Sequence, residues 1–471
     1  MLFRSGKTVV RGGTGIFYQD RMPGFFNLNQ AGNVPNTISV SLTNPGMYST
    51  TPGANPGGPF SNPYCQGGCG AKGTLYPNPF PFTLPFASSH VFPNASLLEE
   101  FDPSGNFRVP VTYDYNLTIE QQLAPNWAMR LAYVGSGSRH QFVNLELNPA
   151  VNTTPTSLST NQRRPYNTAP TVGPCTSGTG CLANYANIVE ASMSGNAHYN
   201  SLQATIEKKM SHGLSLLANY TWSKSYDDMP QATRVNNTED LNVGVSYVYP
   251  LYPANATGIP AAAIVPDIKA LDRGLSDIDH PNVMSVSYVY ELPKLHGDGA
   301  GFKALEEVTN GWRLTGLFQH HSGDVLTPTA GADESLTGLG QDRAQRNFTQ
   351  AAYLDKPGGG KCTVGKNCVN WLNPSALSTP TSVPGVAGTG FGNVMKGSLR
   401  GPGYTNWDAG VARTFPIYRE TDLEFRVEYF DVLNHTELGN PNTTTTNAAF
   451  GTITGLKGGP RIGQFSLKYL F

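Results

Sequence analysis

The chain has 471 residues, only 14% of them charged, and a formal net charge of −1. Soluble domains carry about 25% charged residues and nucleic-acid binders carry a basic stripe, so this composition disfavours both an ordinary soluble fold and a nucleic-acid partner. With 52 Gly, 36 Pro, 22 Tyr and 22 Phe, a negative mean hydropathy and no apolar run near the roughly 20 residues of a membrane helix, the chain turns often and is rich in aromatics without membrane helices.

Apolar and polar residues alternate with period two, the signature of strands with one apolar face. Lys7 to Gln19 is the first candidate strand. From Tyr113 to Glu120, Tyr113, Tyr115, Leu117 and Ile119 share one face, and Asp114, Asn116, Thr118 and Glu120 share the other. Trp127, Met129, Leu131 and Tyr133 alternate with Ala128, Arg130 and Ala132. Leu202, Ala204 and Ile206 oppose Ser201, Gln203, Thr205 and Glu207. Leu214, Leu216, Ala218, Tyr220 and Trp222 oppose Ser215, Asn219 and Thr221. Met284, Val286, Tyr288 and Tyr290 oppose Ser285 and Ser287. Trp312, Leu314, Gly316 and Phe318 oppose Arg313, Thr315 and Gln319, and Trp407 to Phe415 is a further candidate. Leu423, Phe425, Val427 and Tyr429 oppose Glu424, Arg426 and Glu428. Last, Phe465, Leu467, Tyr469 and Phe471 oppose Gln464, Ser466 and Lys468.

These make about ten strands of the length that crosses an outer membrane at a tilt. A soluble sandwich also alternates. Two features separate the readings. Tyr113, Trp127, Tyr220, Trp222, Trp312 and Trp407 fall near strand ends, where aromatic girdles sit in membrane barrels. The links also alternate in length: 19–111 long, 122–127 tight, 135–198 long, 210–213 tight, 223–282 long, 292–311 intermediate, 321–405 long, 416–421 short and 433–461 moderately long. Short periplasmic turns and long extracellular loops give this parity. The expectation is therefore all-β: an antiparallel transmembrane β-barrel wall in contact with outer-membrane lipid. Its long links, rich in Asn, Thr, Pro and Gly, are expected to be solvent-exposed. On this reading Glu424, Arg426 and Glu428 face the lumen, where they line a path or pair across strands.

Six cysteines form three close pairs, Cys65 with Cys69, Cys175 with Cys181 and Cys362 with Cys368, each in a link expected to be extracellular. Loop-stapling disulfides in an oxidising compartment are the expected reading. Zinc-ligand spacing is wrong for two of the pairs. The N-terminus has no apolar signal core or cleavage site, which conflicts with a surface location and suggests that Met1 is internal to a longer chain.

Several stretches carry a resemblance: Arg11-Gly-Gly-Thr-Gly-Ile-Phe-Tyr18, Tyr133-Val-Gly-Ser136, Tyr220-Thr-Trp-Ser-Lys224, Asn310-Gly-Trp312, Ser398-Leu-Arg-Gly-Pro-Gly403, Phe425-Arg-Val-Glu-Tyr-Phe-Asp-Val-Leu-Asn-His435 and Gly439-Asn-Pro441. In order and spacing they resemble the barrel of TonB-dependent outer-membrane receptors, in particular the Oar-like group. The closing Phe465, Leu467, Tyr469 and Phe471 resemble the C-terminal strand that barrel-assembly machinery recognises. The resemblance implies a 22-stranded barrel with an N-terminal plug and a TonB box, of which this chain would be the C-terminal part. Its partners would be the missing barrel half and plug, and TonB only through that plug. The implied function is uptake of an unknown substrate or a surface function, with a non-transporting adhesin or structural barrel as the alternative.

Enzyme signals are weak, and no catalytic, cofactor or metal site is expected. Gly358-Gly-Gly-Lys361 lacks phosphate-loop spacing, and Cys362 stands where Ser or Thr is needed. Asp277, Asp279 and His280, close enough in sequence to suggest a metal site, read as a solvated turn or rim, and His320-His321, a candidate metal pair at a lumen mouth, as a plain rim. The sequons at Asn94 and Asn255 read as chance matches.

Overall fold

The computed structural model describes residues 6–19, 33, 65–66, 74–75, 95–101, 108–146, 148–150, 152, 159–164, 185–229, 246–247, 272–294, 297, 303, 306, 309–340, 342–354, 368–383, 389–418 and 421–471. Ten long strands lie side by side in chain order: β1 Thr8–Tyr18, β2 Val111–Ala124, β3 Trp127–Glu146, β4 Tyr185–Ser211, β5 Leu214–Asp227, β6 Asn282–Glu291, β7 Trp312–His321, β8 Tyr404–Tyr418, β9 Thr421–Phe430 and β10 Ile462–Leu470. Each neighbouring pair is antiparallel. Among the described residues β1 and β10 are the two edges of this sheet and do not pair with each other, so the wall is not closed.

Cross-strand partners share a face, and a slip of one residue would exchange the faces. No such slip occurs through the middle of the wall; the shifts fall at the turn ends and beyond Ser138. Leu131 pairs with Ala204, Ile206 with Ala218, Ala218 with Val286, Val286 with Phe318 and Phe318 with Trp407. Further on, Leu314 pairs with Val411, Val411 with Val427 and Val427 with Phe465. The alternating apolar sets of successive strands thus merge into one face. That face is uncovered: Leu117, Trp222 and Leu467 are 53%, 60% and 66% exposed. Apolar patches of this extent mark a membrane or partner surface. No helix among the described residues is long and apolar enough to cross a membrane.

Two aromatic–glycine pairs knit this face. Tyr115 is the cross-strand partner of Gly135, and Tyr288 that of Gly316. Each tyrosine ring lies where a Cβ on its glycine would be, 2.5 Å away at Gly316, so only glycine admits the ring. At the turn end of the sheet, Lys208 lies over the Trp127 ring at 5.8 Å, and Arg413 lies 5.7 Å from Trp312 and 4.4 Å from Phe415. Basic side chains that bury their stems beside aromatics at the headgroup level are the usual way to place cations near lipid. The β4–β5 turn holds His212 and Gly213 at φ of 50° and 75°, the doubly positive geometry of a tight type I′ hairpin.

The structure revises two expectations. The link expected over 135–198 is strand at both of its ends. β3 runs on to Glu146 and β4 begins at Tyr185, with bulges where the register shifts past Ser138 and Gln141. At about 3.3 Å per residue, the 27 residues of β4 span roughly 90 Å, against an apolar band about 25 Å tall. The β3–β4 hairpin therefore projects well beyond the membrane. The second revision is that the links around 322–403 and 431–461 do not behave as separate solvated loops. Leu326, Ala344, Leu372, Leu377, Val394, Leu399 and Phe450 form a buried cluster, with Trp371 and Ala352 against it. Short strand pairs tie it together: Val325–Leu326 with Leu399–Arg400, Gln345–Arg346 with Leu377–Ser378, and Val369–Asn370 with Thr452–Ile453. The long-link end of the wall therefore carries a folded cap with its own core.

Candidate functional site

Two surfaces offer chemistry: the polar face of the wall and the cap at its long-link end. On the polar face, Glu424, Arg426 and Glu428 of β9 pair in register with Lys468, Ser466 and Gln464 of β10. Glu424 accepts from Arg313 of β7 at 3.1 Å, across the small Ala412 of β8. Arg426 pairs with Glu428, which also accepts from the Gln464 amide. All three charges are thus engaged within the wall. Half-exposed pairs of this kind contribute about 0.2–1 kcal/mol each. Beside them lies a concavity of about 420 Å³ lined by Ser287, Thr315, Leu317, Asp408, Gly410 and Glu428. It is an open groove on the polar side of the sheet, lined also by apolar groups of Leu217, Val289 and Phe430.

The cap is fastened to the wall by buried ion pairs with a shared pattern. Each base comes from the β7–β8 link and each acid from β5 or the β5–β6 link. Lys396 pairs with Asp227, Arg400 with Asp279, and Arg343 with Asp272 at 2.6 Å. Asp279 also accepts the Ser225 backbone N–H at 2.6 Å. The solvated-turn reading of Asp279 is therefore corrected: its carboxylate is almost fully buried under Arg400. The segment after β3 joins the same body. Arg164 pairs with Glu146 at 3.7 Å, Arg163 donates to the Leu336 carbonyl at 2.7 Å, and Asn152 donates to the Val383 carbonyl at 3.0 Å. Burial pushes the Asp342 carboxyl up to about 6, with nearby Asp333 adding to the rise and hydrogen bonds from Ser335 opposing it.

At the rim between wall and cap, His280 and His321 come together, with ring centroids 4.8 Å apart. His321 also stacks on Tyr404 at 5.2 Å. Adjacent strand residues point to opposite faces, so His320 turns away to Thr405 at 2.8 Å and does not join His321. Asp324 completes the group, with its Oδ1 3.8 Å from His280 Nε2. Burial opposes ionisation of Asp324, but hydrogen bonds from Asn440 and Lys457 outweigh it and hold the carboxyl below the usual range.

Phe465, Leu467 and Tyr469 lie on the exposed apolar face of edge strand β10, and the rings of Tyr469 and Phe471 stack at 6.0 Å. Cys65 sits in a two-residue strand paired with Thr74–Leu75. Cys368 is disulfide-bonded and abuts the short strand Val369–Asn370. Cys69, Cys175, Cys181 and Cys362 lie outside the described residues, as do Gly358–Lys361, Asn94 and Asn255.

The outer membrane beta barrel domain family matches residues 2–464. No curated protein matches the chain. Among solved structures, similarity extends to a point mutant of the ferric enterobactin receptor PfeA from Pseudomonas aeruginosa, at 9% identity and a TM-score of 0.37 over 99% of this chain and 38% of that one. The siderophore receptor PirA from Acinetobacter baumannii gives 9% identity and a TM-score of 0.35, covering 99% and 39%. The outer membrane transporter YddB from Escherichia coli gives 11% and 0.34, covering 80% and 34%. The chain spans between a third and two fifths of the length of these three proteins.

Proposed function

The chain belongs to the outer membrane beta barrel domain family, and from that membership we propose that it is the C-terminal wall of a larger receptor barrel of the TonB-dependent type. Its place is the outer membrane, with the apolar face against lipid. The observation that carries the proposal is the sheet itself. Ten strands share one lipid-facing side, yet β1 and β10 leave their outer edges unpaired among the described residues. Open edges are not tolerated in lipid, so further strands must complete the wall. The Oar-like motifs named above support the same reading, as does the aromatic C-terminal strand for recognition by the barrel-assembly machinery. In this reading the protein binds and admits a substrate rather than transforming one, TonB acts only through a plug supplied by the rest of the barrel, and the cysteine pairs staple surface loops.

One observation favours the second reading, a non-transporting surface barrel. The cap is a folded body pinned by buried ion pairs, and a rigid outer face suits adhesion as well as uptake. Sequencing the genomic DNA upstream of the Met1 codon separates the two. An in-frame extension with more alternating strands, a plug, a TonB box and a signal peptide is the expected result. A stop codon and promoter at that point would remove the transport reading.

A further inference from the structure

Two links and a strand end converge where the wall meets the cap. His280 stands just before β6, His321 closes β7, and Asp324 follows in the β7–β8 link. One nitrogen of each imidazole and one carboxylate oxygen all lie within 4.8 Å of one another. We propose that His280, His321 and Asp324 form a binding site for a divalent first-row transition-metal ion of the Zn²⁺ type. The inference is independent of the receptor reading, because it concerns only this rim.

The hydrogen bonds around the three residues argue for more than ring packing. Nδ1 of His280 lies 2.8 Å from the Ser322 carbonyl oxygen, and Nδ1 of His321 lies 2.9 Å from the same atom. A carbonyl only accepts, so both rings donate from Nδ1. Each neutral imidazole then carries its lone pair on Nε2. A backbone carbonyl that fixes the tautomer and aim of a ligating histidine is the usual outer support of a metal site, and here one carbonyl serves two rings. Asp324 is braced in the same way. Asn440 donates to its Oδ2 at 2.8 Å and Lys457 lies 3.1 Å from that atom, while Oδ1 faces His280. Asn440, in the β9–β10 link, thus orients the carboxylate, while Lys457 of the same link competes for it as a cation.

Donor chemistry selects the ion. Two imidazole nitrogens and one carboxylate oxygen suit Zn²⁺, Cu²⁺ or Ni²⁺. Ca²⁺ and Mg²⁺ need six or more oxygens and would meet the charge of Lys457 without enough anionic compensation. Tetrahedral ligation at about 2.0–2.1 Å places donors roughly 3.3 Å apart, so side-chain rotations of under about 2 Å would close the site. Three protein donors leave a fourth position open to water or to a donor on an incoming ligand. The ring contacts of His280, His321 and Tyr404 alone would require neither the shared carbonyl nor the braced carboxylate.

The test is equilibrium dialysis of the full chain, refolded in detergent, against ZnCl₂, with Co²⁺ as a spectroscopic substitute. One high-affinity Zn²⁺ per folded chain is expected. H280Q, H321Q and D324N should each weaken binding tenfold or more, and H320Q should leave it within twofold. Co²⁺ should give visible absorption bands in the wild-type chain that H321Q abolishes. Lys457→Gln removes the competing cation and should tighten Zn²⁺ severalfold, a gain that no misfolded variant would show. Absence of stoichiometric binding, binding that survives H280Q and H321Q in folded protein, or no tightening in Lys457→Gln overturns the proposal.

Discussion

Replacing Lys396 with Met tests whether ion pairs fasten the cap to the wall. The Lys396 side chain is 2% exposed and that of its partner Asp227 is 5% exposed. Lys396 also donates to the Met229 carbonyl at 2.9 Å. Without the ammonium, the Asp227 carboxylate stays buried with the Met229 N–H at 3.1 Å as its remaining hydrogen bond at that oxygen. Stranding one charge of a buried pair costs about 3–5 kcal/mol, which at about 1.4 kcal/mol per decade raises the opening equilibrium of the cap by roughly 10²- to 10⁴-fold. Hydrogen exchange of the detergent-refolded chain, read in peptides covering 324–330 and 394–400, reports that equilibrium locally. The double variant Asp227→Leu/Lys396→Met removes both charges and should recover much of the loss, with a coupling of roughly 1–3 kcal/mol. Exchange in Lys396→Met within about 0.5 kcal/mol of wild type, or strictly additive effects in the double variant, would refute the assignment.

Further outcomes follow from other features. Gly316→Val drives a side chain into the Tyr288 ring and should cost about 1–3 kcal/mol, read as a lower urea midpoint for the folded wall; Tyr288→Ala in the same chain should relieve part of it. Asp342 has a folded-state pKa raised to about 6 from 3.8, so the unfolded chain releases its proton first and the cap loses stability between about pH 4 and 6, by about 3 kcal/mol in all. Asp342→Asn should flatten that dependence and slow cap exchange at pH 8; an unchanged pH profile would contradict the burial of an ionised carboxylate. Leu467→Lys puts a charge on the exposed apolar face of β10 and should cost about 2–4 kcal/mol on folding of the complete barrel into lipid vesicles, whereas Ser466→Gln, opposite Arg426 on the polar face, should be nearly neutral; equal costs would undo the assignment of the faces.

Legibility in the sequence followed the range of the interaction involved. The wall was readable because lipid imposes a local rule, one apolar residue in every two. Val286, Phe318 and Val427 could therefore be placed on the right face without knowing their partners, and the register then joined them. The same rule failed above the membrane, where lipid no longer acts. β4 begins at Tyr185 with Asn187, Ser192 and Asn196 along it, a polar mixture without strict alternation, so its outer half read as loop. The pairing of His280 with His321 had no local signal either. His320 and His321 looked like a unit by adjacency, and only strand geometry separates them while the pairing of β6 with β7 brings His280 to the rim.

The cap shows why composition misled most at the surface. Its core draws single apolar residues, such as Leu326, Leu372, Val394 and Phe450, from positions spread over more than a hundred residues. The strands beside them are two residues long, too short to express any period. Asn, Thr and Gly around them satisfy backbone groups locally, as where Asn347 and Asn447 accept from backbone N–H groups two residues on, so their abundance reflects turn-making and not only solvation. The charges that anchor this body are equally non-local: Arg400 meets Asp279 from 121 residues away. Each acid, taken alone, resembles a solvated turn residue, and its burial follows only once the β7–β8 link folds back over the end of β5. A barrel wall specified by local alternation thus carries a cap specified by long-range partners. Substitutions at Asp227, Asp272 or Asp279 should therefore loosen the cap while leaving the wall's strand register intact.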